Sequence, residues 1–322
     1  MNAEAQLPRA ALVDATRGII AQGSQSFRSA SRLFAPVTRE RAWLLYAWCR
    51  TADDMTDGQT LGHGAAAPAH PAAAQAQLVA LSAAALDGDD PVPVPFAALR
   101  QVARETGLPR QMVDDHLAGF AFDADNWRPQ DEDDLLRYCY HVAGTVGCMM
   151  AVVMGVGPAD EDTIDRACDL GLAFQLANIA RDIVPDAGNR RCYIPAVWLR
   201  EYGLDEMSVA DPANRAALAA IAGRLVALAR PFRASARIGA ARLAPRARLA
   251  VLAADAIYGA IGERVVALGE RAWDQRVRIG KPGKAALFAQ ALARSLAKPA
   301  TSPRTGLWTR PRQSPVSAGL RS

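Results

Sequence analysis

Two short acidic runs carry the clearest capacity for chemistry in this chain. Asp53-Asp54-Met55-Thr56-Asp57 closes one apolar, helix-forming stretch, and Asp182-Ile183-Val184-Pro185-Asp186 closes another. Residues four apart share one helix face, with Cβ atoms about 5–6 Å apart. Asp53 and Asp57 therefore project together, as do Asp182 and Asp186, while Asp54 points elsewhere. One such pair on a soluble helix is usually a solvated surface, mildly destabilised by its like charges. Two pairs, each ending a long apolar run, imply carboxylates that face a cavity, and such ends facing each other need cations. Mg²⁺ takes oxygen ligands, keeps several waters, and binds through one or two carboxylates together with substrate phosphates. The implied ligand is a diphosphate held through metal to Asp53, Asp57, Asp182 and Asp186.

The neighbouring groups fit the same chemistry. Arg50 lies three residues before Asp53, and Arg181 immediately before Asp182. A guanidinium pairs bidentately with phosphate, which suits a leaving diphosphate, and both arginines also stand where they would pair with the adjacent aspartates. Gly23-Ser24-Gln25-Ser26-Phe27-Arg28 is a small polar loop able to offer hydroxyls and backbone N–H groups to phosphate oxygens. Gln175 and Asn178 lie upstream of Asp182 on its own helix face. Pro185 predicts a kink or helix end inside the second acidic run, because it lacks an N–H and its ring crowds the carbonyl four residues back. His63, His70, His116 and His141 show no metal-ligand spacing, so zinc is not expected.

The elements that must hold these residues read as helices. Apolar residues recur at three-and-four spacing over 38–56, 131–156, 160–184, 214–229, 247–268 and 284–296, and nothing alternates convincingly with period two. A hydrophobic share of 51% supports a sizeable core, and Ala, the strongest helix former, dominates it. Gly62 to Gln77 is Ala-, Pro- and His-rich and reads as a loop, and Gly88 to Pro95, with three prolines, marks a second break. From about Pro299 the Pro-, Ser- and Arg-rich sequence reads as a disordered basic tail. The expectation is an all-α chain, with one domain over 1–298 and a tail over 299–322. The small residues Ala143, Gly144, Gly147, Ala173 and Ala177 on the two central helices fit either room for a long apolar ligand or close helix packing.

Charge is unevenly spread. Residues 221–322 hold 19 Lys and Arg against 4 Asp and Glu, a net +15; subtracting from the totals of 37 and 33 leaves −11 for residues 1–220. A basic third suits anionic headgroups or phosphates, and equally a solvated arginine-rich surface. No base-reading module accompanies it, so nucleic acid is not an expected partner. The five cysteines form no C-x-x-C pair, and four lie in apolar helical stretches, the pattern of buried thiols in a reducing compartment. No charged n-region precedes an apolar h-region at Met1-Asn2-Ala3-Glu4, and the longest uncharged run, His141 to Pro158, suits a core helix better than a membrane span. A cytoplasmic protein in peripheral contact with membrane is the expectation.

Four ordered motifs then carry a resemblance over nearly the whole ordered chain: 23–27 (GSQSF), 45–57 (LYAWCRTADDMTD), 138–147 (YCYHVAGTVG) and 171–182 (GLAFQLANIARD), supported by 191–195 (RCYIP) and 255–258 (DAIY). Together they resemble the squalene/phytoene synthase family, in its bacterial, phytoene-forming branch. The resemblance implies an all-helical isoprenoid-synthase fold around a central apolar cavity. It implies metal and diphosphate binding at Asp53, Asp57, Asp182 and Asp186, with Asn178 and Gln175 beside them. Ser24, Ser26, Arg50, Arg181 and Arg276 would be diphosphate contacts, and Phe27, Tyr46, Tyr138, Tyr193 and Tyr258 aromatics near the reacting carbons. The implied reaction is a head-to-head condensation of two geranylgeranyl diphosphates, with Mg²⁺ or Mn²⁺ and no nicotinamide cofactor, between other enzymes of carotenoid synthesis.

Three rivals are weighed. Asp53-Asp54-x-x-Asp57 also spells the first motif of chain-elongating synthases, but those enzymes pair aspartates in the second motif too, where Ile183 follows Asp182. A squalene or dehydrosqualene synthase acting on farnesyl diphosphate differs only in channel depth. A non-catalytic relative acting as an assembly or lipid-binding factor would be expected to lose metal aspartates, and all four are present.

Overall fold

The computed structural model describes residues 7–23, 30–57, 71–124, 127–297 and 301–312. Among these residues the regular elements are helices alone. In chain order they are α1 (Arg9–Gly23), α2 (Pro36–Asp57), α3 (Pro71–Asp87), α4 (Val94–Thr106), α5 (Arg110–Ala124), α6 (Glu132–Cys139), a π-turn (Tyr140–Gly144) and α7 (Thr145–Val153). They continue with α8 (Glu161–Gly188), α9 (Ala196–Glu201), α10 (Arg215–Ala240), α11 (Pro245–Leu268) and α12 (Lys281–Leu296), with short 3₁₀ turns at Pro212–Asn214 and Gly269–Trp273. None of the described helices is long and apolar enough to cross a membrane.

The longest helix, α8, is the axis of the bundle. It packs against α10, α11, α7, α6 and the π-turn. Its start is set by Asp160, whose side chain accepts from the Thr163 N–H, and by Glu161 and Asp162 in the first turn. Buried Ile164, Leu172, Leu176, Ile179 and Ile183 then recur along its length. The same device opens α6, where the Asp131 side chain accepts from the Asp134 N–H ahead of three acidic residues.

Close packing between the central helices is made by glycine. A Cβ at Gly147 would run into the Ala167 carbonyl oxygen, one at Gly171 into the Ala143 carbonyl, and one at Gly144 would lie 2.9 Å from Cys168 Sγ. Of the two uses the sequence left open for these small residues, Gly144 and Gly147 serve contact between helices. The run 131–156, which the periodicity reads as one helix, is interrupted at Tyr140–Gly144 by the π-turn. A π-bulge inserts a residue and re-aims the side chains around it, here directly after Tyr138.

Three other expectations are corrected. Residues 71–77 are helical: Pro71 opens α3 and the Ala-rich run propagates it, while 62–70 lie outside the described residues. α8 runs through Pro185 to Gly188. Proline forfeits one helical hydrogen bond there, but Ile183 stays buried, and the Asn189 and Arg191 N–H groups both reach the Asp186 carbonyl at 2.9 Å. Residues 301–312, within the stretch read as a disordered tail, lie as a strap along α8. Arg304 pairs with fully buried Asp169 at 2.7 Å and Arg310 with Asp165 at 2.7 Å, while the Arg166 guanidinium donates to the Ser302 carbonyl at 2.8 Å. The arginines expected to extend into solvent are the counterions of carboxylates that apolar packing has buried.

Candidate active site

The last turns of α8 present Asp182 and Asp186 in contrasting surroundings. Asp182 is held by two guanidiniums. Arg181 reaches its two oxygens at 3.0 and 2.5 Å, and Arg276, from the loop after the second 3₁₀ turn, reaches them at 3.2 and 3.0 Å. Burial pushes the Asp182 carboxyl up, but those ion pairs outweigh it and hold the group below the usual carboxylate range. Asp186, one turn on, has no such pairing among the described residues. Burial, then the neighbouring charge of Asp182, push it up to about 7 against the charges of Arg191 and Arg181, with a smaller upward push from Asp123.

Asp123, near the end of α5, joins this acid to the aromatic residues. It accepts from the Tyr193 hydroxyl at 2.9 Å and the Tyr138 hydroxyl at 3.2 Å. The two rings stack at 4.7 Å with 20° between their planes, and Trp127 stacks on Tyr138 at 5.9 Å. Burial and the Asp123 charge push both phenols well above their ordinary range, so they stay protonated. A second stacked pair, Phe174 on α8 and Tyr258 on α11, has centroids 4.0 Å apart, and Tyr258 is close enough to act electrostatically on Arg181. The Asn178 amide donates to Gln175 at 3.5 Å on the same helix.

The first acidic run is seen in part. Arg50 pairs with Asp54 at 2.7 Å and stands 3.7 Å from Asp53, whose side chain is 44% exposed. Asp54, placed by helical spacing on a different face, is thus the closer partner of Arg50. Tyr46 is half-buried on α2 one turn before Arg50. The Asp57 side chain and residues Ser24, Ser26 and Phe27 lie outside the described residues. Among the described residues no three His, Cys, Asp or Glu side chains gather closely enough to hold a metal.

Sequence reasoning missed Asp123, Trp127 and Phe174 as site residues, and it quoted Arg191 without giving it a role. Asp123 did leave a signal: like Asp57 and Asp186, it is an acid closing an apolar helical run. Phe174 leaves none, because an aromatic at helical spacing reads as core, and Trp127 leaves none as a lone loop aromatic.

The donor set fits a hard divalent cation. Carboxylate oxygens are its preferred ligands, and Asp186, raised by burial and then by the charge of Asp182, is a carboxyl that such a cation would hold ionised. Asp182 and Asp186, with Asn178 one turn before Asp182, would supply the α8 side, and Asp53 the α2 side.

A helical bundle with acidic groups at helix ends, guanidiniums beside them and paired aromatic rings close by has the make-up of an isoprenoid-synthase-type protein. The chain belongs to the squalene/phytoene synthase family, whose model, described as squalene/phytoene synthase, matches residues 20–282. It is 46% identical over 305 residues to a phytoene synthase of Pseudescherichia vulneris, covering 93% of this chain and 98% of the relative. It is 46% identical over 297 residues to the 15-cis-phytoene synthase of Pantoea ananas, covering 91% and 96%. Among solved structures, a dehydrosqualene synthase in complex with ligand superposes with a TM-score of 0.78 at 24% identity, covering 88% of this chain and 96% of that one. A squalene synthase from Alicyclobacillus acidocaldarius gives 0.71 at 20% identity, covering 84% and 99%.

Proposed function

We infer that this chain is a 15-cis-phytoene synthase, a prenyltransferase that condenses two geranylgeranyl diphosphates head to head through prephytoene diphosphate. The observation that carries this reading is the 46% identity, over about nine-tenths of the chain, to relatives of that name. The retained acids and the aromatic pairs agree with it.

The chain's own residues account for the steps as follows. Arg181 and Arg276, bracketing Asp182, stand where the charge of a departing diphosphate accumulates, with Arg50 on the α2 side. Positive groups fixed in advance at that position stabilise leaving-group charge most in a water-poor site. Bound Mg²⁺ (or Mn²⁺), held by Asp53, Asp57, Asp182 and Asp186 with Asn178, would add Lewis-acid stabilisation of the same oxygens. Loss of diphosphate leaves an allylic cation, which is attacked by the double bond of the second substrate, and loss of a proton closes the cyclopropane. The second diphosphate then departs, the carbon skeleton rearranges, and a second proton is lost. Two substrates thus give one hydrocarbon, two diphosphates and two protons, with no reductant. The stacked faces of Tyr138 and Tyr193, and of Phe174 and Tyr258, stabilise cations without supplying a nucleophile. Asp123 accepts from both hydroxyls of the first pair, which holds the two rings in one orientation. The family resemblance of 23–27 would assign Ser24 and Ser26 to the diphosphate and Phe27 to the reacting carbons. The protein works in the cytoplasm, between an enzyme that supplies the prenyl diphosphate and one that consumes the hydrocarbon.

The test is product analysis by chromatography and mass spectrometry, with purified protein and Mg²⁺ given geranylgeranyl or farnesyl diphosphate separately. Phytoene from the longer substrate, lost in Asp53→Ala and in Asp182→Ala, is the expected result. A hydrocarbon from farnesyl diphosphate alone would move the assignment to a squalene-type enzyme, and none from either would remove the catalytic reading.

A further inference from the structure

Helix α12 is amphipathic in the unusual sense. Its inward side packs on α11 through buried Ala291, in a small cluster with Ala240, Leu252 and Ala253, and carries Arg294 4.0 Å from buried Asp255. Its outward side carries Ala285, Phe288, Ala289, Leu292 and Leu296, the three-and-four spacing of a single stripe. Phe288, Leu292 and Leu296 are 37%, 43% and 81% exposed. A helix packed on one side of a soluble protein places its apolar stripe against the core, and here the larger stripe faces away from it.

The charge around the stripe has one sign. No Asp or Glu follows Asp274 in the chain. Arg278, Lys281 and Lys284, on the approach to α12 and in its first turn, are exposed and make no ion pair among the described residues. Other basic groups nearby are engaged, Arg304 and Arg310 with the acids of α8 and Arg276 with Asp182. A short interfacial helix with apolar residues on one face and Lys or Arg beside them has the composition that seats at the headgroup–acyl boundary of anionic lipid. A second copy of the chain would bring the same positive charges against each other across the stripe, whereas anionic headgroups complement them.

The position of the stripe relative to the site adds to this. Lys281, the first residue of α12, is five positions after Arg276, a reach of at most about 18 Å, so the helix that carries the stripe begins within that distance of the residue that holds Asp182.

We propose that the outward face of α12 docks on an anionic bilayer surface, with Arg278, Lys281 and Lys284 at the headgroups and Phe288, Leu292 and Leu296 at the acyl boundary. The use of that docking, drawing a prenyl diphosphate from the membrane into the site, rests on the function proposed above; the docking itself does not.

The experiment is co-flotation of the full chain with vesicles of phosphatidylcholine containing or lacking about a third phosphatidylglycerol. It compares the wild type with Phe288→Ser/Leu292→Ser/Leu296→Ser and with Arg278→Glu/Lys281→Glu/Lys284→Glu. Wild type is expected to float with the anionic vesicles, the apolar variant to bind at least tenfold more weakly, and the charge variant to lose its preference for phosphatidylglycerol. Matching circular dichroism and melting curves check that the variants fold, and Leu292→Ser alone provides a milder change if the triple variant does not. Equal flotation of wild type and the apolar variant would overturn the proposal. So would an unchanged lipid affinity together with a dimer-to-monomer shift in light scattering, which would give the stripe to a second copy. Product formed from detergent-dispersed substrate is expected to be unchanged in both variants. Absence of product in all proteins, with lipid binding still dependent on the stripe, would sink the catalytic reading and leave the docking standing.

Discussion

Asp182 and Asp186 occupy successive turns of one helix, yet their environments favour opposite protonation states. Asp182 is stabilised as the anion by Arg181 and Arg276, while Asp186 is crowded by burial and by Asp182 and Asp123. Under the proposed function the difference suits the two acids to different tasks: Asp182 would order the guanidiniums that meet diphosphate, and Asp186 would be ionised by a cation beside it. Asp123 has a third task, since it is the shared acceptor of two stacked tyrosines. Asp123→Ala is expected to lower kcat about 10²-fold, with KM changed less, because the two stacked rings lose the acceptor that fixes their orientation. Asp123→Asn keeps an acceptor oxygen and is expected to recover most of that loss. Steady-state kinetics on geranylgeranyl diphosphate decides both, and equal losses in the two variants would mean that the charge matters rather than the acceptor.

At the level of helices, α7 and the π-turn pack closely on α8, since Gly147 and Gly171 leave no space for a methyl group. Gly147→Ala is expected to cost about 1–3 kcal/mol in urea unfolding, through displacement of α7 from α8. On the other side of the bundle Glu105 of α4 binds Arg9 of α1 at 2.6 Å and Arg41 of α2 at 2.8 Å. Burial raises the Glu105 carboxyl, but the hydrogen bonds from Arg9, Arg41 and Gln101 outweigh it and bring it to about 2. A carboxyl lowered in the fold contributes stability above its unfolded pKa and loses it as pH falls through the folded one. Wild type should therefore lose about 1–2 kcal/mol more than Glu105→Gln between pH 5 and pH 2, a figure reduced for the partial exposure of both arginines. Melting curves across that range measure it. Much of this level was legible in advance: the periodic runs gave α2, α8 and α11 to within a few residues. The π-turn was not, because its five residues carry the same apolar pattern as the helices on either side. Asp54 as the nearer partner of Arg50 was legible but passed over, since the two stand four apart on one helix face. Ala-rich α3 was hidden because its prolines and histidines cluster just before it, and composition over that window outweighed propensity.

At the level of the whole molecule, basic charge concentrates in the C-terminal third, and the fold divides it between two uses. One part neutralises buried acids of α8, and the other stays exposed around α12. The sequence showed the total but not the division, because which carboxylates are buried is a property of tertiary packing. Deleting residues from Thr301 onward is expected to lower unfolding free energy by about 3–5 kcal/mol, since Asp165 and Asp169 would keep their burial and lose their counterions. Urea unfolding of full-length and shortened protein tests this, and coincident curves would show that the strap contributes nothing to stability. The strap also bears on the order of events during synthesis. Asp169 is made 135 residues before Arg304, so through that interval α8 has an acid it cannot bury without penalty. The core can close around it only after the partner has left the ribosome, so a nascent chain stopped short of Arg304 remains open to proteolysis however complete its catalytic residues are.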